Sequence, residues 1–134
     1  MVLDSVTNSR LFEAPPVDVL IVEDEPTSRR VLSRLLTSSG YRTESFRTAE
    51  EALAWIGEGT HPPFALVDLD LPGMSGLQFI EHLRTCCPET RAILVTATDE
   101  QTLARKVGGL HLSYLRKPLE YGQLLSTMHE AAEH

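Results

Sequence analysis

The sequence predicts an α/β chain, a doubly wound sheet of five parallel strands whose two faces are covered by five helices. Three observations predict it. Short, nearly continuous apolar runs alternate five times with stretches of helical period. Strict alternation of strands and helices implies βαβ units with right-handed crossovers. Five units are too few for an eight-stranded barrel, and at 134 residues one domain can bury a core without staples.

Residues 1–16 show no sustained period and end in Ala14-Pro15-Pro16, so they are expected to form a flexible tail ahead of a domain over 17–134. Residues 17–22 are β-branched and almost wholly apolar, as a strand covered on both faces should be. Pro26 suits a first helical turn, where its missing N–H costs nothing. Val31, Leu32, Leu35 and Leu36 then form an apolar stripe, and Gly40 is the expected stop. A weak second strand follows over 42–46. Thr48-Ala49-Glu50-Glu51 fits a capping box for a helix through Ile56 that stops at Gly57. The run 64–67 is the third strand. Its helix starts near Gly76, carries Leu77, Ile80, Leu83 and Arg84, and ends before Pro88. Residues 92–95 form the fourth strand, and Asp99 caps a helix that ends at Gly108-Gly109. Residues 114–116 read as the fifth strand. A last helix runs from Tyr121 to Glu133, its Leu124-Leu125-Met128 stripe facing the core.

Hydrophobic content of 42% and charged content of 23% are ordinary for a globular chain. The net charge of −7 argues against a nucleic-acid surface on this chain, which would need clustered cations. Lys106 and Lys117 are its two lysines, and the arginines are scattered. If a parent protein binds DNA, another domain does so. Cys86 and Cys87 are adjacent, so they build no disulfide framework and are expected to act as small hydrophobes at a helix end. The five histidines, His61, His82, His111, His129 and His134, show no ligand spacing. No apolar run reaches the roughly 18 residues of a membrane span, and the N-terminus lacks the pattern of a signal peptide. A cytoplasmic chain with no membrane partner is expected.

In open α/β sheets, ligands sit beyond the carboxyl ends of the strands. The first strand ends at Glu23-Asp24, the third at Asp68 with Asp70 close behind, the fourth at Thr96 and the fifth at Lys117-Pro118. Carboxylates about 5 Å apart repel by roughly 3 kcal/mol at an effective dielectric near 20, so such a cluster calls for a cation. Oxygen donors without His or Cys favour a hard divalent ion such as Mg²⁺. A carboxylate beside such an ion can act as the nucleophile in phosphoryl transfer. Lys117 offers a charge, and Thr96 a hydroxyl, to the oxygens of the incoming group. Singly, each feature has a plainer role: a turn, a cap or an ordinary strand residue. Together, in this order, they point to one site.

These motifs resemble the response-regulator receiver family of two-component signalling, including its chemotaxis-regulator members. The matching segments are Val-Leu-Ile-Val-Glu23-Asp24, Leu-Val-Asp68-Leu-Asp70-Leu-Pro72-Gly73-Met74-Ser75-Gly76, Ile-Leu-Val-Thr96-Ala97 and Tyr114-Leu-Arg-Lys117-Pro118. The resemblance implies a flavodoxin-like sheet of order 2-1-3-4-5. It implies that Asp68 accepts phosphate from a phosphohistidine on a sensor histidine kinase or histidine phosphotransfer protein. Mg²⁺ would bind Asp24 and Asp68 directly, Glu23 through water and the Asp70 backbone carbonyl. Thr96 and Tyr114 would form a switch pair, Thr96 moving to the phosphoryl group and the Tyr114 ring turning inward behind it. The face built by the fourth helix, fifth strand and fifth helix would then change partners, and a homodimer could form there. The family's activity is limited to its own phosphorylation and dephosphorylation, so the chain is not expected to be an enzyme for another substrate.

Several positions depart from the family pattern. Glu23 stands where Asp is often found, Asp70 adds a carboxylate two residues after the acceptor, Ser75 replaces a common acidic residue, and His111 occupies a position that is usually small. Two other functions compete. Asp68-Leu-Asp70 also resembles the opening motif of haloacid-dehalogenase-type phosphatases, although there it normally follows the first strand of the core. The other alternative is a receiver fold that docks partners without phosphorylation.

Overall fold

The computed structural model describes residues 16–108 and 112–133. The expected flexible tail lies outside these residues except for Pro16, as do Gly109, His111 and His134. Within the described residues five strands and five helices alternate. They are β1 (Val19–Val22), α1 (Pro26–Ser38), β2 (Thr43–Phe46), α2 (Ala49–Ile56), β3 (Phe64–Asp68), α3 (Gly76–Cys86), β4 (Arg91–Thr96), α4 (Glu100–Val107), β5 (Ser113–Arg116) and α5 (Tyr121–Glu133). All strand pairs are parallel, in the order β2-β1-β3-β4-β5. The order reverses between β1 and β3, so the crevice at their carboxyl ends is where such a sheet takes a ligand.

Because successive strand side chains point to opposite faces, each buried strand feeds two cores. Leu20, Val22, Ala65, Val67 and Leu94 pack with Ala52 and Ile56 of α2, Phe79 and Leu83 of α3 and Leu103 of α4. Val19, Ile21, Leu66, Ile93 and Val95 pack on the other face with Leu32 and Leu36 of α1 and Leu124 and Met128 of α5. Most of these side chains are fully buried, and each large one (Val, Leu, Ile, Phe or Met) stabilises the fold by roughly 1.5–3 kcal/mol. The edge strand β2 has no fully buried residue, in keeping with its weak pattern. Trp55 packs against Phe46 at 5.5 Å between ring centroids, a structural role.

The helix ends follow local chemistry. The Glu25 carboxylate caps α1, accepting from the N–H groups of Thr27 and Ser28 at 3.0 and 2.7 Å. Gly40, at φ +94°, ends it. Tyr41 N–H reaches Leu36 O and Gly40 N–H reaches Thr37 O, the paired bonds of a Schellman stop. Two expectations need correction. Strand β1 spans Val19–Val22, so 17–18 form a lead-in, where the Asp18 carboxylate accepts from Arg42 N–H at 2.7 Å. The box at Thr48 is half formed: Thr48 Oγ1 accepts from Glu51 N–H, but Glu51 Oε1 accepts from that same hydroxyl instead of the Thr48 backbone. The reciprocal box is at α3, where Ser75 Oγ accepts from Gln78 N–H and Gln78 Oε1 accepts from Ser75 N–H.

Candidate phosphoacceptor site

The sheet ladder fixes where each polar residue emerges. Glu23 N–H bonds Phe46 O at 3.0 Å, Leu69 N–H bonds Val95 O at 3.0 Å, and Lys117 N–H bonds Thr96 O at 2.8 Å. These bonds hold the backbone just past β1, β3 and β5 at one sheet edge. Among the described residues the buried polar side chains are those of Glu23, Asp68 and Thr96, all three placed at this edge by the sequence.

Lys117 joins two of them. Its Nζ lies 2.7 Å from Glu23 Oε1 and 3.0 Å from Asp68 Oδ2. The other Asp68 oxygen, Oδ1, accepts from Asp70 N–H at 2.9 Å, so both oxygens of that carboxylate are engaged. Glu23 Oε2 accepts from Glu25 N–H at 3.3 Å. Thr96 Oγ1 accepts from Thr98 N–H at 3.0 Å, which leaves its own proton available to donate. Asp24 is half-buried, and Asp70 is exposed. The Lys117–Pro118 peptide is cis.

Burial by itself lowers the Lys117 pKa, but its hydrogen bonds to Glu23 and Asp68 outweigh burial and hold the ammonium above its ordinary value. Glu23 moves upward too, first from burial and then from facing Asp68, and the Lys117 contact offsets this only in part. The ammonium is therefore firmly charged, and the Glu23–Asp68 pair remains short of positive charge.

Tyr114 stands apart from this cluster. Its ring is 38% exposed and its hydroxyl donates to Glu100 Oε1 at 3.0 Å, so the proposed switch residue faces outward. Behind it, a cavity of about 420 Å³ lies between α4 and β5, lined by Leu94, Leu103, Val107 and Leu112.

The donor set suits a hard cation: carboxylates and backbone carbonyls, with no sulfur or imidazole among them. Among the described residues no three acidic, His or Cys side chains converge as a ready-made metal cage.

A family model described as the response regulator receiver domain matches residues 19–129. The chain belongs to that family. The receiver is 37% identical over 116 residues to the transcriptional regulatory protein YkoG of Bacillus subtilis, spanning 84% of this chain and 50% of that protein. It is 31% identical over 116 residues to the response regulator MprA of Mycolicibacterium vanbaalenii, spanning 84% and 49%. Thus it covers about half the length of these relatives. Since YkoG is a transcriptional regulatory protein by name, the expected lack of a nucleic-acid partner extends no further than this chain. Among solved structures, a CheY-like receiver from Methanospirillum hungatei is similar at a TM-score of 0.74 and 28% identity, over 89% of this chain and 96% of that one. The response regulator TrrA of Thermotoga maritima, solved in complex with Mg²⁺-BeF, is similar at 0.72 and 26% identity, over 86% and 98%. The phosphatase alternative loses its basis, since Asp68-Leu-Asp70 closes the third strand of a receiver. No described helix is long and apolar enough to cross a membrane.

Three supports of the receiver site escaped the sequence. Arg29 Nη1 donates to Glu23 O at 2.9 Å and Asp24 O at 3.4 Å, clamping the loop after β1. Glu50 Oε2 accepts from Met74 N–H at 3.1 Å, tying α2 to the loop after Asp68. Gly76 packs so closely that a Cβ would lie 2.2 Å from Asp68 O. The Ser-x-x-Gln pattern could have disclosed the Ser75 box, but no local signal announces Arg29 or Glu50.

Proposed function

We propose that Asp68 is the phosphoacceptor, taking a phosphoryl group from a phosphohistidine on a sensor histidine kinase or histidine phosphotransfer protein. The observation that carries this is the Lys117 ammonium, which bridges two buried carboxylates at the switch point of the sheet. In this reading Asp68 Oδ attacks phosphorus, the P–N bond to histidine breaks, and the imidazole departs. Lys117 moves its charge to an equatorial phosphoryl oxygen, and the Thr96 hydroxyl donates to another. Asp24 and Asp68 would hold Mg²⁺ directly, with the Asp70 carbonyl beside them and Glu23 acting through water. When bound, the ion neutralises charge developing on the transferred group. The Mg²⁺-BeF complex of TrrA supports such a pocket here by likeness.

The output follows from the same geometry. Movement of Thr96 toward the phosphoryl group would open the space behind it, and the Tyr114 ring would leave Glu100 and turn inward. The face of α4, β5 and α5 would then change its partners, a second copy of the receiver among them. We take 17–134 as the receiver unit, acting in the cytoplasm and catalysing only its own phosphorylation and dephosphorylation.

Intact-mass spectrometry after incubation with acetyl phosphate and Mg²⁺ tests this reading. One Mg²⁺-dependent phosphoryl adduct, absent in Asp68→Asn, is expected. No adduct on the wild-type chain, with Mg²⁺ binding confirmed separately, would replace the proposal with a receiver that docks partners without phosphorylation.

A further inference from the structure

The phosphoacceptor site lies near the N-terminal end of α3; the chain's two cysteines lie at the other end. Cys86 is the last residue of α3 and is exposed, whereas Cys87 caps the helix and is buried. Their sulfurs are 3.4 Å apart, in contact with each other. Both line a cavity of about 420 Å³ that His61, Pro63, Glu89 and Arg91 also border. A small oxidant has room there, and the site needs neither Asp68 nor Mg²⁺.

We propose that Cys86 and Cys87 form a reversible redox site, in which a hydroperoxide converts the adjacent thiols to a vicinal disulfide. The roles divide by exposure. The thiolate is the reactive form of cysteine, and solvent reaches Cys86. Burial first, and then the contact with Cys86, pushes the Cys87 thiol up to about 11, so it stays protonated and waits as the resolving partner.

The chemistry balances in two steps. Cys86 sulfur attacks the hydroperoxide; an S–O bond forms, the O–O bond breaks, and the alcohol leaves with the proton of the Cys86 thiol. Cys87 sulfur then displaces the hydroxyl of the Cys86 sulfenic acid. An S–S bond forms, the S–O bond breaks, and water leaves with the Cys87 proton. Two thiols are oxidised by two electrons and one hydroperoxide is reduced.

Geometry makes the product labile. Neighbouring Cα atoms stand about 3.8 Å apart across a trans peptide, short of the roughly 4.4–6.8 Å usual for disulfides. A ring closed at that separation is strained, and strained disulfides are the readily reduced ones. Cys87 N–H also bonds Leu83 O, and Thr90 N–H bonds Cys87 O, so closure acts on the end of α3 and the turn into β4.

Peptide mass spectrometry after treatment with tert-butyl hydroperoxide reads the outcome directly. The tryptic peptide 85–91 carries both cysteines and no methionine, so sulfur oxidation in it reports this pair alone. The expected wild-type product has lost two hydrogen atoms, resists alkylation, and recovers both alkylation sites after dithiothreitol. In Cys87→Ser, and in Cys87→Ala should serine disturb the buried position, Cys86 should stop at a sulfenic acid that dimedone traps. Cys86→Ser should stay unoxidised under the same conditions. Direct passage of wild-type Cys86 to the sulfinic acid, or disulfides formed only between chains, would overturn the proposal.

Discussion

Lys117 Nζ lies 3.0 Å from Asp68 Oδ2, an ion pair between residues 49 positions apart that closes the sheet edge from β3 to β5. The same ammonium holds Glu23 at 2.7 Å, so one cation serves two buried carboxylates. Removing it leaves Glu23 and Asp68 facing each other without compensation. Loss of one partner from a fully buried pair costs about 3–5 kcal/mol. With the Lys117 side chain 26% exposed, Lys117→Met should destabilise the Mg²⁺-free chain by about 1–3 kcal/mol. A divalent ion in the crevice would supply the missing charge, so Mg²⁺ should raise the Tm of the variant more than that of the wild type. Equal increments in a thermal melt would show that Lys117 and the ion do not compensate the same carboxylates.

Gly76 carries a steric demand that reaches Asp68, the proposed acceptor. A Cβ on this first residue of α3 would sit 2.2 Å from Asp68 O and 2.9 Å from Leu69 Cα, both backbone atoms that a rotamer change cannot move aside. Gly76→Ala should cost roughly 2–4 kcal/mol, read as a lower denaturant midpoint, because β3 and α3 must separate. The Asp68 carboxyl shifts with its backbone, so the phosphoryl adduct should also fall steeply at a temperature where the variant remains folded. An adduct at the wild-type level in the folded variant would show that the crevice tolerates the shift.

The contrast between Gly76 and Lys117 explains what the sequence could reveal. Lys117, Asp68, Thr96 and Glu23 were legible because each follows an apolar run, and parallel strands deliver their ends to one edge whatever the side-chain details. Gly40 and Asp99 were legible because helix ends are settled within a few residues. Contacts across the fold are different. Glu50 reaching Met74, Arg29 reaching the Glu23 carbonyl and Tyr114 bonding Glu100 depend on how packed elements lie against each other, which no local pattern encodes. The Asp18 carboxylate likewise reaches the Arg42 N–H, 24 residues away, a contact no local pattern announces.

Glu50 gives a dynamic prediction. Its Oε2 accepts the Met74 N–H, and Gly73 passes beneath it at φ +71°, where a Cβ would come within 2.6 Å of the same oxygen. The carboxylate thereby holds the loop between Asp68 and α3. Glu50→Ala removes the acceptor without touching the acidic crevice. A hydrogen bond worth about 1 kcal/mol corresponds to roughly five-fold more frequent opening, so amide exchange at Met74 should accelerate by about that factor. Exchange at Leu94, in the centre of β4, should not change. Equal acceleration at both would mean that the variant loosens the whole domain instead of the loop.

Tyr114 offers a pH test of the output face. Its hydroxyl donates to Glu100, and this bond, followed by partial burial and the negative charge of Glu100, raises the phenol above its ordinary pKa. A phenol whose folded pKa is raised holds its proton more tightly when folded than when unfolded. The contribution to stability is therefore whole below the unfolded value of about 10, and it disappears as pH climbs through the folded value. Phenolate absorbance measured against pH, with the Tyr114→Phe curve subtracted, should show Tyr114 ionising above the ordinary phenol range. Glu100→Ala removes both the acceptor and the charge that oppose ionisation and should move the Tyr114 midpoint back toward the ordinary range. A midpoint that stays raised in that variant would assign the shift to burial, and Glu100 would then not be the group that holds the ring outward.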